Sequence, residues 1–381
     1  RIFSTNTLIT SFHHGISTRF IRLSYKYEHQ EMCDGELLIP HTPLASAMML
    51  ISYLQSFLLG SKKPETIAEN PLSTSSESRL VPEKDTSDTL TLPDGRKLGF
   101  AQFGLPTGKP IFYCHGLPGS RVEAGHLHEA ALDLGARIIA TDRPGMGLST
   151  FQPKRTLLDH PKDLEHLAAH LKLEEYGVMG VSGGGPYALA CAALIPREKL
   201  KCVLIVCGIG PPDIGMAGAG WFHWLGFTYG WRYTPRLAGW FFHWQGRFNL
   251  SDEKRLELQL KEAEKNKATV PKQELGIWTN SEIVGRMVMT SRQYYAQGID
   301  GVSHDGYLDG TEFGFRIEDI RSNLPVRLWY GKEDTFVPLN HGKQIAKRLG
   351  DSAHLRVEDD THASIFFRWR REILADLLGN M

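Results

Sequence analysis

The sequence predicts an α/β protein with a mostly parallel central sheet, helices on both of its faces and an inserted block of helices. Three observations predict it. Short, continuously apolar runs alternate with helix-spaced stretches, as strands buried on both faces require. That alternation stops after Cys207 and resumes at Pro325. Several of the runs also end in glycine or a polar residue, where such sheets carry their ligand chemistry.

The elements follow in chain order. Residues 1–88 form an N-terminal extension of different character. Arg1 to Tyr27 contains no acidic residue, while Arg and Lys recur among Ser, Thr and aromatics. That composition fits a mitochondrial-type presequence or a basic tail. The first residue is not Met, and Met48 or Met49 offers an alternative start. Leu37 to Ser61 carries no Asp, Glu, Lys or Arg, but Pro40, His41 and Pro43 dilute it. A helix over Leu44 to Leu59 that lies on a membrane or covers the domain is expected rather than a spanning one. A polar linker follows, and the globular part begins near Thr89.

From there "TLTLPDGRKLGFAQFG" alternates around Pro93-Asp94-Gly95, a hairpin signal. "KPIFYCHG", "ARIIATD", "EYGVMGVS" and "LKCVLIVCG" read as successive buried strands. Helical stretches at Arg121–Leu134, His160–Leu173 and Gly185–Ile195 separate them. Residues 89–208 and 325–381 form the core, and residues 209–324 an inserted helical cap. In the closing part "LPVRLWYG" and "AHLRVED" are strands, with helices over Asn340–Leu349 and Ala363–Leu378.

Lys and Arg balance Asp and Glu, so the net charge is zero and nothing argues for nucleic acid as a partner. The five cysteines are odd in number, lack metal-type spacing and fit reduced, buried thiols. A cytoplasmic location is expected, with mitochondrial or membrane-associated placement as alternatives. No metal or cofactor is expected either. His166 with His170 and His126 with His128 have usable spacings, but no carboxylate–histidine set completes a ligand pattern.

Gly180-Val181-Ser182-Gly183-Gly184 matches G-x-S-x-G between a strand and a helix, the setting a strained nucleophile turn needs. The alternative is a structural serine in a glycine-rich turn. A serine nucleophile requires a base, an acid to orient it and donors for the developing oxyanion. His362 and Asp334 follow the last two strands, in the order Ser, Asp, His, and the amides of Leu117 and Gly183 are the expected donors. Asp213 is a fallback acid. Asp142 and Arg143 read as a buried structural pair. In the cap, five of the eight tryptophans fall between Trp221 and Trp244. Leu237, Trp240, Phe241 and Trp244 share one helical face. That face suits the cap's own core, the wall of an apolar pocket or a membrane contact. Trp221, Trp224, Trp240 and His304 are the candidate substrate contacts. For His304 and Asp305 a loop role is the other reading.

With these stretches together, the chain from Thr89 onward resembles the α/β-hydrolase fold superfamily, in its capped, esterase- or lipase-like serine hydrolase type. "HGLPGS", "DRPGMGLS", "GVSGGGP", "GKEDTFVP" and "DDTHAS" carry the resemblance. It implies Ser182 as nucleophile, His362 as base and acid, and Asp334 as orienter. Thr361 departs from the pattern, since many relatives have glycine before the histidine. Serine at the turn suits acyl transfer, where relatives that open epoxides carry aspartate. Hydrolysis of a carboxylic ester of an apolar small molecule or lipid is the leading expectation. A peptidase, a C–C bond hydrolase and a small-molecule receptor without turnover are the alternatives. The partner is then an apolar ester, with peripheral membrane contact through the N-terminal apolar segment or the cap.

Overall fold

The computed structural model describes residues 86–381. The basic tail, the Leu44–Leu59 helix, most of the polar linker and Cys33 lie outside the described residues.

The sheet has eight strands: β1 (Ser87–Thr91), β2 (Lys97–Gly104), β3 (Lys109–Cys114), β4 (Ala136–Thr141), β5 (Tyr176–Val181), β6 (Leu200–Val206), β7 (Val326–Gly331) and β8 (Ala353–Glu358). Their order is β1-β2-β4-β3-β5-β6-β7-β8. The β1–β2 and β2–β4 pairings are antiparallel and all others parallel. The Pro93-Asp94-Gly95 turn closes the first hairpin, with Gly95 at φ +86° and the Leu92 amide donating to Arg96.

Alternate side chains of the central strands enter opposite cores, as the period of two demands. Phe112, Val178, Val203, Ile205 and Leu328 pack on one face. Ile111, Tyr113, Met179, Leu204 and Trp329 pack on the other. The first face is covered by α2 (His160–His170) and α3 (Gly185–Leu194), the second by α1 (His128–Leu134) and by a long C-terminal helix, α12 (His362–Gly379). The expected helix Arg121–Leu134 is a 3-10 turn, Arg121–Leu127, running into α1. The next helix stops at His170, and Lys172 takes φ +56° beyond it.

Between β6 and β7 the regular elements are helical: α4 (Trp221–Leu225), a π-helical turn (Gly226–Gly230), α5 (Trp231–Tyr233), α6 (Pro235–Gln245), α7 (Asp252–Lys265), α8 (Lys272–Trp278), α9 (Ser281–Tyr294) and α10 (Asp300–Asp309), with short 3-10 turns at either end. The cap is no separate body, because the described residues, 86–381, belong to one compact unit. The last core elements are β7, α11 (Asn340–Leu349), β8 and α12.

Candidate active site

Strand β5 delivers Ser182 onto a tight turn. Its φ is +52°, in the left-handed region that costs a non-glycine residue of order 1–3 kcal/mol and is held only where packing dictates it. Glycines make that packing feasible. A Cβ on Gly184 would lie 2.1 Å from the Cys114 carbonyl oxygen, and one on Gly185 would lie 2.8 Å from the Gly208 Cα. The third glycine of the run is thus where the Ser182 turn crosses the loop after β6. Helix α3 then starts at Gly185, with its partial positive end behind the serine.

The ends of β7 and β8 supply the other two residues. His362 Nε2 lies 2.9 Å from Ser182 Oγ, and His362 Nδ1 lies 2.7 Å from Asp334 Oδ2. Asp334 Oδ1 accepts the amides of Phe336 and Val337 at 2.8 and 2.9 Å, which fixes the carboxylate. With Nδ1–H directed at Asp334, the Nε2 lone pair faces the serine hydroxyl, the tautomer a general base needs.

Thr361, the departure from the glycine pattern, has a local cause. It is the N-cap of α12: its amide donates to Ser364 Oγ at 2.8 Å and its hydroxyl accepts from the Ser364 amide. The same hydroxyl bonds Glu274 of α8, whose other oxygen accepts Trp278 Nε1 at 2.6 Å. The histidine loop is therefore tied to the cap.

Burial works to lower the His362 pKa, but the Asp334 carboxylate, with Cys207 behind it, outweighs burial and holds it well above the ordinary histidine value. The base must be neutral to act. Activity should therefore rise with pH along a limb lying above about 6.5. Asp334→Asn should shift that limb to lower pH and reduce kcat about 10⁴-fold. A pH–rate profile of both proteins checks this; an unshifted limb would detach the titration from His362.

The turn after β3 lies over the serine. A Cβ on Gly116 would be 3.6 Å from Ser182 Cβ, and one on Gly183 would be 2.7 Å from Leu117 Cβ and 3.2 Å from the Leu117 nitrogen. The backbones of the two expected oxyanion donors, Leu117 and Gly183, thus adjoin beside Ser182. Glu123 accepts the Gly116 amide at 3.0 Å and the Tyr113 hydroxyl at 2.7 Å. From below, Arg143 donates to the carbonyls of His115 and Gly116 at 2.6 and 2.8 Å.

Arg143 does not pair with Asp142, contrary to the sequence reading. Asp142 is taken by Arg121 at 2.7 Å, whereas Arg143 and Arg155 both bind Asp305 of α10, at 2.7 and 2.6 Å. Asp305 is therefore no loop residue; it is the shared anion of two buried guanidiniums, joined by the Tyr187 hydroxyl at 2.5 Å. One turn on, the buried Asp309 packs against Gly183, and burial followed by the charge of Asp305 pushes its pKa well up. Asp213, the fallback acid, pairs with Arg348 away from His362.

A cavity of about 600 Å³ opens above Ser182 and His362. Its wall comes from α7 (Gln259, Glu262, Ala263) and its C-cap Asn266, from Trp278, from α9 (Val284, Met287), and from Phe366 and Phe367 of α12. None of the four proposed substrate contacts lines it. Trp221 is half-buried against Phe222, Trp224 and Trp240 are exposed, and His304 Nε2 is held by the Arg155 carbonyl at 2.8 Å. The tryptophan-rich segment packs on another flank of the cap, where Trp231 stacks on Phe242 at 5.5 Å. The wall residues carry helical spacing in the sequence, as 259, 262, 263 and 266 show, but nothing in it told which face turns inward.

His126 lines the cavity as well, and burial lowers its pKa to about 3, with Arg286 and Arg370 adding to the shift. His128 Nδ1 accepts the Gly104 amide instead. Among the described residues, Cys207, Asp334 and His362 bring ligand-type atoms within 4.8 Å of one another. Both imidazole nitrogens are already engaged, so this grouping reads as part of the Ser182 site.

A strained serine between strand and helix, a histidine and an acid from later strand ends, and a helical cap over all three define a class of protein. Residues 109–368 match the model of the α/β hydrolase fold. The chain belongs to that family. Among curated proteins, a putative proline iminopeptidase of Mycoplasma pneumoniae is 38% identical over 114 residues, 29% of this chain and 37% of its own length. The proline iminopeptidase of Xanthomonas citri is 36% identical over 112 residues, 28% of this chain and 34% of its own. The chain thus spans about a third of the length of these relatives. Among solved structures, an α/β hydrolase fold protein from Nakamurella multipartita aligns with a TM-score of 0.54 at 17% identity, over 77% of this chain and 98% of that one. A thermophilic esterase from Thermogutta terrifontis aligns with 0.52 at 19% identity, over 76% and 96%. Both share the fold.

Proposed function

We propose that this protein is a serine hydrolase working through an acyl-enzyme, and that its substrate is a small, largely apolar molecule bearing a free amine, such as the N-terminal residue of a short peptide. The observation that carries the proposal is the line Asp334–His362–Ser182 at the floor of a cavity. Ser182 Oγ attacks the carbonyl carbon as His362 Nε2 takes its proton. The oxyanion is received by the amides of Leu117 and Gly183, and His362 then protonates the departing amine. Water, deprotonated by the same nitrogen, cleaves the acyl-enzyme and restores the serine.

Two things support the amine. The curated relatives are named as proline iminopeptidases. In this chain Glu262 stands on the cavity-facing side of α7, between Gln259 and Asn266, where an ammonium group can meet a carboxylate. Apolar carboxylic esters, the leading expectation from the sequence, are the second reading, favoured by the mainly apolar wall of Val284, Met287, Trp278 and Phe366.

The test is labelling by a fluorophosphonate, then turnover of aminoacyl arylamides against acyl esters of matching size without an amine. Glu262→Gln should raise KM for the amine-bearing set up to about five-fold, the scale of an exposed ion pair. It should leave the esters and kcat unchanged. Absence of labelling would sink the hydrolase reading. Labelling with turnover of esters alone would sink the amine.

A further inference from the structure

We propose that the outward face of the cap between Trp221 and Trp244 docks this protein on an anionic lipid bilayer. The helical face of α6 marked by Leu237, Trp240 and Trp244 is as apolar as a core face, yet it points to solvent: Leu237 is 62% exposed and Trp240 53%. The opposite side of α6 does the packing, with Gly239 against Ser303 and Phe242 against Trp231. Neighbouring elements extend the exposed face. Tyr233, at the end of α5, is 67% exposed. Trp224 and Tyr229 meet edge-on at 5.6 Å, and Tyr229 and Tyr233 lie 6.4 Å apart. A patch built from large aromatics is not a feature that soluble surfaces keep without a use.

Its composition selects the partner. Trp and Tyr pair an apolar body with a polar tip, which suits the headgroup level of a bilayer. From Ile214 to Ser251 the chain carries no Asp or Glu, whereas Arg232, Arg236 and Arg247 are present and exposed. Arg236 pairs with Asp300 of α10 at 2.8 Å. Aromatics set among cations complement a surface of anionic headgroups. A second copy of the chain would complement them poorly, because a two-fold contact brings the same arginines face to face. The charge-free stretch Leu37 to Ser61 offers nothing to answer Arg232 and Arg247. The contact is interfacial, since no helix among the described residues is long and apolar enough to cross a membrane.

Co-sedimentation of the full chain with phosphatidylcholine vesicles, with and without phosphatidylserine, tests the proposal. Binding should be at least about ten-fold tighter to the anionic vesicles and should weaken with salt. Leu237→Ser with Trp240→Ser should lower it about ten-fold or more. Arg232→Gln with Arg247→Gln should remove most of the preference for phosphatidylserine. Circular dichroism and fluorophosphonate labelling, unchanged in both variants, would show that the fold and the Ser182 site persist. Failure of the full chain to bind anionic vesicles overturns the proposal. So does binding that neither variant weakens, which would assign it to the N-terminal apolar stretch. Self-association abolished by Leu237→Ser with Trp240→Ser, without vesicle binding, overturns it in favour of a second copy.

Discussion

Ser182→Ala is expected to lower kcat/KM on the order of 10⁶-fold and to abolish fluorophosphonate labelling, while the folded protein is retained. The expected size follows from the geometry. Without Oγ there is no atom at 2.9 Å from His362 Nε2 to receive the carbonyl, so the acyl-enzyme cannot form. What survives is catalysis from the oxyanion turn and from binding, which is typically 10³–10⁴ over water. His362→Ala should fall to about the same level, and the double variant little further, because the residues act as one unit. Stability should change little. Alanine at φ +52° has no hydroxyl to satisfy in a half-buried site, so a small change in thermal midpoint is expected in either direction. Steady-state kinetics with active-site titration and a thermal melt on the same preparations check both halves. Residual activity above about 10⁻³ of wild type would point to a nucleophile other than Ser182.

Most of the frame that holds this serine was legible in the sequence, for a physical reason. Strands buried on both faces must be apolar throughout, so β3 to β7 stand out as runs whatever packs on them. The order Ser182, Asp334, His362 could be read because the end of each strand is a fixed place in such a sheet. The cap was less legible. Helical spacing shows that α6 and α7 each have a distinct face, but not where it points. On α7 the cavity is lined from an exposed, largely polar side, Gln259 and Glu262 with Ala263, while the buried residue is Arg255. On α6 the apolar face is outward, so Trp240 does not line the cavity over Ser182 as a substrate contact would, and of the readings open for that face a membrane contact is the one that needs no burial. The partner of Arg143 was equally hidden. Its carboxylate lies 162 residues away on α10, and a neighbour in sequence, Asp142, offered a simpler pairing.

Asp305→Ala is expected to destabilise the protein by about 3–5 kcal/mol, the cost of leaving buried charges without their partner. That corresponds to a fall of roughly 10 °C in thermal midpoint for a domain of this size. Burial works to raise the Asp305 pKa, but the guanidiniums of Arg143 and Arg155 prevail and hold it below the ordinary carboxylate range. A carboxylate depressed in the folded state contributes stability above its unfolded pKa, about 3.9, and loses it as pH falls below that value. The deficit of the variant should therefore be full at neutral pH and should narrow in acid. Asp309, one helical turn on, tempers the loss. Its carboxyl is kept neutral first by burial and then by the charge of Asp305, while Arg143 and Arg155 pull the other way. Once Asp305 is gone that repulsion goes too, and Asp309 can ionise beside the two arginines. Asp305→Ala with Asp309→Asn should then lose more stability than the sum of the single variants, a coupling that a double-mutant cycle in urea measures directly. Strict additivity would mean that Asp309 stays neutral regardless. Because Arg143 also holds the His115 and Gly116 carbonyls beneath the oxyanion turn, the surviving folded fraction should lose kcat more than KM, which separates a misplaced turn from simple unfolding.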